Sequence, residues 1–129
     1  NISINYQNDG KSEYLINGIE NRIEQIVANL LDNSISFSND GSEVIVNVSN
    51  GLEKKVIVKI LDEGQGFKEK DTSKIFNRFY SNRPENFGEH SGLGLNIVKN
   101  LVELHDGKIE ASNRLDKQGA LIEIQFPSL

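Results

Sequence analysis

Two rhythms of apolar spacing divide the chain. From Asn21 to Phe37 the residues Ile23, Ile26, Val27, Leu30, Leu31 and Ser34 recur every three or four positions, which places them on one stripe of a helix. Asn29 and Asn33 stand four apart, one above the other, at the shoulder of that stripe beside Ile26 and near Phe37. A second amphipathic helix is predicted from Leu93 to Leu104, ended by His105-Asp106-Gly107. Asn17 with Glu20 three residues later resembles a capping box for the first helix, with Asn21 as an alternative cap. The other rhythm has a period of two. Ile2, Ile4 and Tyr6 alternate with polar residues and predict a half-buried strand ending at Asn8-Asp9-Gly10. Val44, Ile45, Val46 and Val48, then Val56, Ile57, Val58 and Ile60, predict two strands, and Asn50-Gly51 between them predicts an antiparallel hairpin. Lys108 to Ala111 and Ala120 to Phe126 predict a closing pair.

Where the rhythms break, chemistry becomes possible. Asp62-Glu63-Gly64-Gln65-Gly66-Phe67 follows a strand, so a carboxylate fixed by the sheet is joined to glycines that let backbone approach a ligand closely. A plain turn is the alternative, and a Rossmann fingerprint is excluded because no third glycine and no immediate helix follow. Residues 68–91 form a long polar excursion with one short helical piece from Asp71 to Tyr80, whose Ile75, Phe76 and Phe79 make an apolar patch. Loops of that length in a compact domain are usually lids or disordered. Gly92 and Gly94 then open the second helix, where free N–H groups and the positive dipole end favour an anion. No Gly-Lys-Ser/Thr follows, so this is not a Walker loop. The carboxamide oxygens of Asn29 and Asn33 are hard neutral ligands of the kind Mg²⁺ takes alongside phosphate and water, although two solvated residues at a stripe edge would look the same.

Composition narrows the classes. With 129 residues the chain fits a single domain, 1–129, with a real core. The absence of cysteine excludes disulfides, thiolate metal sites and thiol catalysis. A net charge of −5 argues against nucleic-acid binding, and no apolar run reaches a membrane span. The chain opens without methionine, which reads as a piece of something larger. Residues 67–91 hold five bases against four acids, while the remaining nine bases and fifteen acids leave −6 elsewhere. An anionic ligand should meet that segment.

The four breaks together resemble the catalytic ATP-binding domain of bacterial two-component sensor histidine kinases, within the GHKL superfamily of Bergerat-fold proteins. Asn29-Leu30-Leu31-Asp32-Asn33 is similar to the N box and Asp62-x-Gly64-x-Gly66 to the first glycine box. Ile75-Phe76-Asn77-Arg78-Phe79-Tyr80 resembles the F box, and Gly92-Leu93-Gly94-Leu95 the second glycine box. The likeness runs from about Glu20 through Gly107-Lys108-Ile109 to Gly119-Ala120. It implies ATP and Mg²⁺ as cofactors and transfer of the γ-phosphoryl group to a histidine on a separate dimerisation domain. Asn33 would hold the metal, with Asn29 lining the triphosphate and Phe37 lining the pocket. Asp62 would accept from the adenine amine, with Gly64 and Gly66 letting the base lie close. Ser91, Gly92, Leu93, Gly94 and Leu95 would wrap the phosphates. Residues 67–91 would be a mobile lid in which Arg78, then Arg83, contacts phosphate, giving Asn29, Asn33 and Arg78 the catalytic roles. The implied partners are the protein's own phosphoacceptor domain and a cognate response regulator. The isolated domain is expected to be a monomer, and the parent a homodimer anchored in the bacterial inner membrane with this domain in the cytoplasm.

The fold expected is an α/β two-layer sandwich: a mixed, mainly antiparallel sheet with helices near 20–37 and 93–105 on one face. Departures from the family pattern are Ser36 where a phosphate-facing lysine is usual, Glu63 where Asn is common and Asp106 where Gly is common. A superfamily ATPase that clamps on ATP, or a nucleotide-sensing domain without transfer activity, are the rival readings. His90 and His105 are rejected as phosphoacceptors, His105 because an imidazole at a helix C-terminus commonly bonds the last carbonyls. Glu24 lies well round the helix from the Asn pair and reads as solvated rather than as a general base.

Overall fold

The computed structural model describes residues 2–10, 13–67, 75–76 and 93–129. In chain order these form β1 (Ser3–Asn8), α1 (Glu20–Phe37), β2 (Glu43–Gly51), β3 (Lys55–Leu61), α2 (Leu93–Leu104), β4 (Lys108–Asn113) and β5 (Ala120–Pro127). The sheet runs β1-β2-β3-β5-β4. β1 is parallel to β2, and the remaining pairings are antiparallel. The mixed, mainly antiparallel two-layer architecture predicted above is the one observed.

Register decides which face is the core. Val46 pairs with Ile60, Ile60 with Ile122 and Ile122 with Ala111, so these side chains line up across four strands on the face that meets the helices. Ile26 and Leu30 of α1 and Val98 and Val102 of α2 are buried against them. Each such aliphatic group contributes about 1.5–3 kcal/mol by leaving water. The other face carries Asn47, Lys59, Glu123 and Glu110 together with the partly buried Ile45, Ile57, Leu61 and Leu121, and is mixed in character.

Three local expectations are corrected. Ile4 and Tyr6 are 53% and 58% exposed, so β1 is not half-buried. The helices pack over β2, β3 and β4, and β1 lies at the sheet edge beyond their cover. The hairpin forms, but its turn is Leu52-Glu53-Lys54, with Glu53 and Lys54 at φ of 59° and 57°, while Asn50 and Gly51 stay in the ladder. A Cβ on Gly51 would meet Ile57 Cδ1 at 2.5 Å, a contact that a shift of the Ile57 side-chain end relieves. Finally, α1 is capped by Ile19 without a side-chain cap bond, and no capping box forms. The Ile19 N–H instead donates to Nε2 of His105, 3.0 Å away at the end of α2. That imidazole stands where the capping-box glutamate would have stood.

α2 ends in a Schellman motif. Gly107 N–H donates to Val102 C=O at 2.9 Å and Asp106 N–H to Glu103 C=O at 3.0 Å, with Asp106 left-handed at φ 59°. The aspartate found where glycine was expected thus tolerates the left-handed position. His105 N–H goes to Val102, so Leu101 C=O takes its bond from the His105 side chain: Nδ1–H donates at 2.7 Å. The helix-terminus role expected for His105 holds.

Candidate functional site

The site grows from the end of β3. Asp62 is the first residue past the strand and is 3% exposed. Its Oδ1 accepts the N–H groups of Gly64 at 2.9 Å and Ala120 at 3.0 Å. Its backbone N–H donates to Ala120 C=O at 3.0 Å, and its carbonyl accepts Nη1–H of Arg114 at 3.2 Å. Burial pushes the carboxyl above its usual range, against the Gly64 and Ala120 hydrogen bonds and the Arg114 charge, which pull it down. Oδ1 is spent on the backbone, and Oδ2 is the acceptor left for a donor from outside.

Glycines are obligatory around this carboxylate for steric reasons. A Cβ on Gly64 would sit 2.5 Å from Phe37 O, so the end of α1 and the glycine loop are in direct contact. Gly66 is left-handed at φ 78°, and its Cβ would meet Asn113 Oδ1 at 2.6 Å. Gly119, at φ 149°, would drive a Cβ to 2.0 Å from Asp62 O. The loop is closed by the Asn113 amide, which accepts from Phe67 N–H at 2.6 Å and donates to Phe67 C=O at 3.1 Å.

On α1, Asn33 is 8% exposed and Asn29 is half-buried, while Glu24 is exposed, in keeping with its solvated reading. Ser36, the departure from the usual lysine, is turned back on its own helix: its hydroxyl donates to Asn33 C=O at 2.9 Å. Glu63 has a structural task, accepting Glu43 N–H at 2.9 Å and facing Lys117 at 3.8 Å. On α2, Leu95 packs against the core, whereas a Cβ on Gly94 would meet open space. Ile75 and Phe76 are buried in the core, as expected of an apolar anchor, and Asn96 Nδ2 donates to Phe76 C=O at 3.2 Å. Arg78, Arg83, Ser91, Gly92, His90 and the expected lid other than Phe67, Ile75 and Phe76 lie outside the described residues, as does the side chain of Leu93.

Sequence reading missed Asn113, Arg114, Asn96 and the reach of Gly119. Asn113 and Arg114 lie past the predicted strand Lys108 to Ala111 and open a polar run, so periodicity gives no sign that they turn back to the Asp62 loop. Among the described residues no cluster of three or more His, Cys, Asp or Glu could hold a metal, and no helix is long and apolar enough to cross a membrane. A Mg²⁺ ion carried mainly by phosphate oxygens and water needs no such cluster, and the buried Asn33 carboxamide fits its preference for hard oxygen.

The family profile described as histidine kinase-, DNA gyrase B-, and HSP90-like ATPase matches residues 18–129, and the chain belongs to that family. It is 38% identical to Sensor protein ChvG of Agrobacterium fabrum over 132 residues, which cover 97% of this chain and 22% of that protein. It is 42% identical over 107 residues to Sensor protein KdpD of Clostridium acetobutylicum, covering 81% of this chain and 12% of KdpD. The chain thus spans less than a quarter of the length of either of these curated relatives. Among solved structures, the mycobacterial sensor histidine kinase MprB superposes with a TM-score of 0.85 at 26% identity, covering 98% of this chain and 82% of that one. The catalytic domain of histidine kinase ThkA, in a nucleotide-free form, gives 0.81 at 26% identity, covering 98% and 79%.

Proposed function

We propose that this chain is the catalytic domain of a two-component sensor histidine kinase, which holds Mg-ATP and presents the γ-phosphoryl group to a histidine on the protein's own dimerisation domain. A cognate response regulator would then take the phosphoryl group. The observation that carries this reading is Asp62: a 3%-exposed carboxylate with one oxygen held by two backbone N–H groups and the other left over. That geometry suits the exocyclic amine of adenine, a donor that requires an acceptor fixed in direction. Gly64 and Gly66 admit the flat base, and Phe37 borders it. Asn33 would hold Mg²⁺, which supplies charge neutralisation for the phosphates, and Asn29 would line the triphosphate. Gly92 and Gly94, with Ser91, Leu93 and Leu95, would cradle the phosphates at the α2 terminus, while Arg78 and Arg83 would close over them. Residues 67–91 would act as the lid.

Phosphoryl transfer asks the protein chiefly for positioning and charge stabilisation, and this set contains no nucleophile of its own. His105 is unsuited to accept phosphate because both ring nitrogens are occupied. Asn29 stands one turn before Asn33, and a carboxamide cannot take a proton from water; a positioned base is typically worth about 10²–10⁴-fold in rate. Water should therefore be a poor acceptor. The test is radiolabelled ATP turnover by residues 1–129 alone and joined to the upstream dimerisation helices. Binding without appreciable hydrolysis in the first case and histidine labelling in the second is expected. Brisk phosphate release by the isolated chain would favour the clamp ATPase instead.

A further inference from the structure

Arg114, the first residue past β4, is the most deeply buried cation among the described residues. Its side chain is 3% exposed. Nε and Nη2 donate to the two oxygens of Asp116 at 3.0 and 2.8 Å, and the remaining amine, Nη1, reaches the Asp62 carbonyl at 3.2 Å. Burying a guanidinium is costly unless it is paired, and here Asp116 takes two of the nitrogens and leaves the third directed at Asp62 of the site. The hairpin loop is held in place by Arg114 N–H donating to Gly119 C=O at 2.9 Å, and Gly119 lies so close to Asp62 O that only glycine fits. Asp62 is thereby gripped at its N–H, its carbonyl and one carboxylate oxygen. Only its outward oxygen is uncommitted.

We propose that Arg114 is a positioning residue for nucleotide recognition: by fixing the Asp62 backbone, the β4–β5 hairpin sets the direction in which the free carboxylate oxygen faces the base. The proposal rests on the reading of Asp62 as the base acceptor. A hydrogen-bond acceptor discriminates between bases only if it cannot swing, and the residue lies just beyond the end of β3, where Ala120 holds its N–H and Arg114 its carbonyl. The guanidinium charge also favours the ionised carboxylate, opposing the effect of burial.

The experiment compares the affinities of the 129-residue chain for Mg-ATP and for Mg-purine riboside triphosphate, which lacks the 6-amino group. Wild type should prefer ATP. Arg114→Met should weaken ATP by about tenfold, the scale of one charge-assisted hydrogen bond, and leave the analogue within about twofold. Arg114→Lys, which keeps a charged donor, should recover part of the preference. Asp116→Ala, at an exposed carboxylate, should loosen Arg114 and reduce the preference in the same direction. If Arg114→Met weakens both nucleotides equally, its role is structural and the proposal is overturned. If that variant does not fold, Arg114→Lys and Asp116→Ala decide, and an unchanged preference in both overturns it. Asp62→Asn separates the two levels. Should it leave the preference intact, the base-acceptor reading fails and the proposal with it; should it abolish the preference while the Arg114 variants do not, the Arg114 proposal alone falls.

Discussion

A single imidazole ties the two helices together, and removing it should cost more than its size indicates. His105 is 9% exposed; its Nε2 accepts the N-cap N–H of α1 and its Nδ1–H donates to Leu101 C=O of α2. Both partners are helix-end groups without a ladder bond of their own, the class that most needs a cap. His105→Phe keeps a ring against Phe126, which now meets the imidazole edge-on at 6.4 Å, but strands both groups. A lost hydrogen bond with partial access to water costs about 1–1.5 kcal/mol, so the pair should cost about 2–3 kcal/mol. With an unfolding entropy of about 2.1 cal/mol/K per residue, that lowers Tm by about 7–11 °C. His105→Ala should lose about 1–2 kcal/mol more through the cavity it leaves. Differential scanning calorimetry and urea titration measure both. Nucleotide affinity of the folded variants should be unchanged, because Ile19 and Phe37 lie at opposite ends of an 18-residue helix, about 27 Å long. A Tm within 2 °C of wild type for His105→Phe would refute the clasp, and a selective loss of ATP binding would refute the separation of clasp from site.

Asn33→Ala should remove most of the Mg²⁺ dependence of ATP affinity; equal affinity for ATP with Mg²⁺ and with chelator in wild type would contradict the assignment. Gly94→Ala should leave stability unchanged or raise it by up to about 1 kcal/mol, because the added Cβ meets open space in a helix, yet weaken ATP if phosphates approach that backbone; calorimetry and nucleotide titration read the two effects separately. Arg114 holds the Asp116 carboxyl down to about 2 from an ordinary 3.8. Its stabilisation is therefore complete above pH 3.8 and lost as pH falls through about 2, so Asp116→Asn should flatten the fall of the urea midpoint on acidification. Asp62 has the opposite sign: with its folded value raised, its contribution is present below 3.8 and lost as pH rises through that folded value, so Asp62→Asn should hold stability up on the neutral side.

How much was legible follows from the range of each interaction. The stripe Ile23 to Ser34 and the alternations in β2, β3 and β5 are local, and each gave its element directly. β1 was found as a strand but assigned too much burial, because alternation says which residues share a face and not whether a helix reaches that edge. The Asn50-Gly51 signal located the hairpin and missed its turn, since the ladder continued one pair further, to Gly51 and Lys55. The capping box failed because the helix starts at Glu20 with Ile19 as its cap, which leaves Asn17 two residues too early, and the Ile19 N–H is met by an acceptor 86 residues away in sequence.

The candidate site divides along the same line. Asp62, Gly64 and Gly66 could be named from sequence because backbone freedom and a strand-end carboxylate are written in consecutive residues. The side chains that hold them, Asn113 and Arg114, stand at and just past the end of β4, a strand that reaches β3 through β5, so their relation to Asp62 is set by the sheet order. Ser36 shows the converse. Its identity announces the loss of a cation, and the structure shows the hydroxyl bonded to its own helix, so a positive charge meeting the phosphates must come from elsewhere in the chain. The basic balance of residues 67–91 makes that segment the first place to look, and under the proposed function Arg78 and Arg83 carry a larger share of phosphate binding than they would beside an N-box lysine.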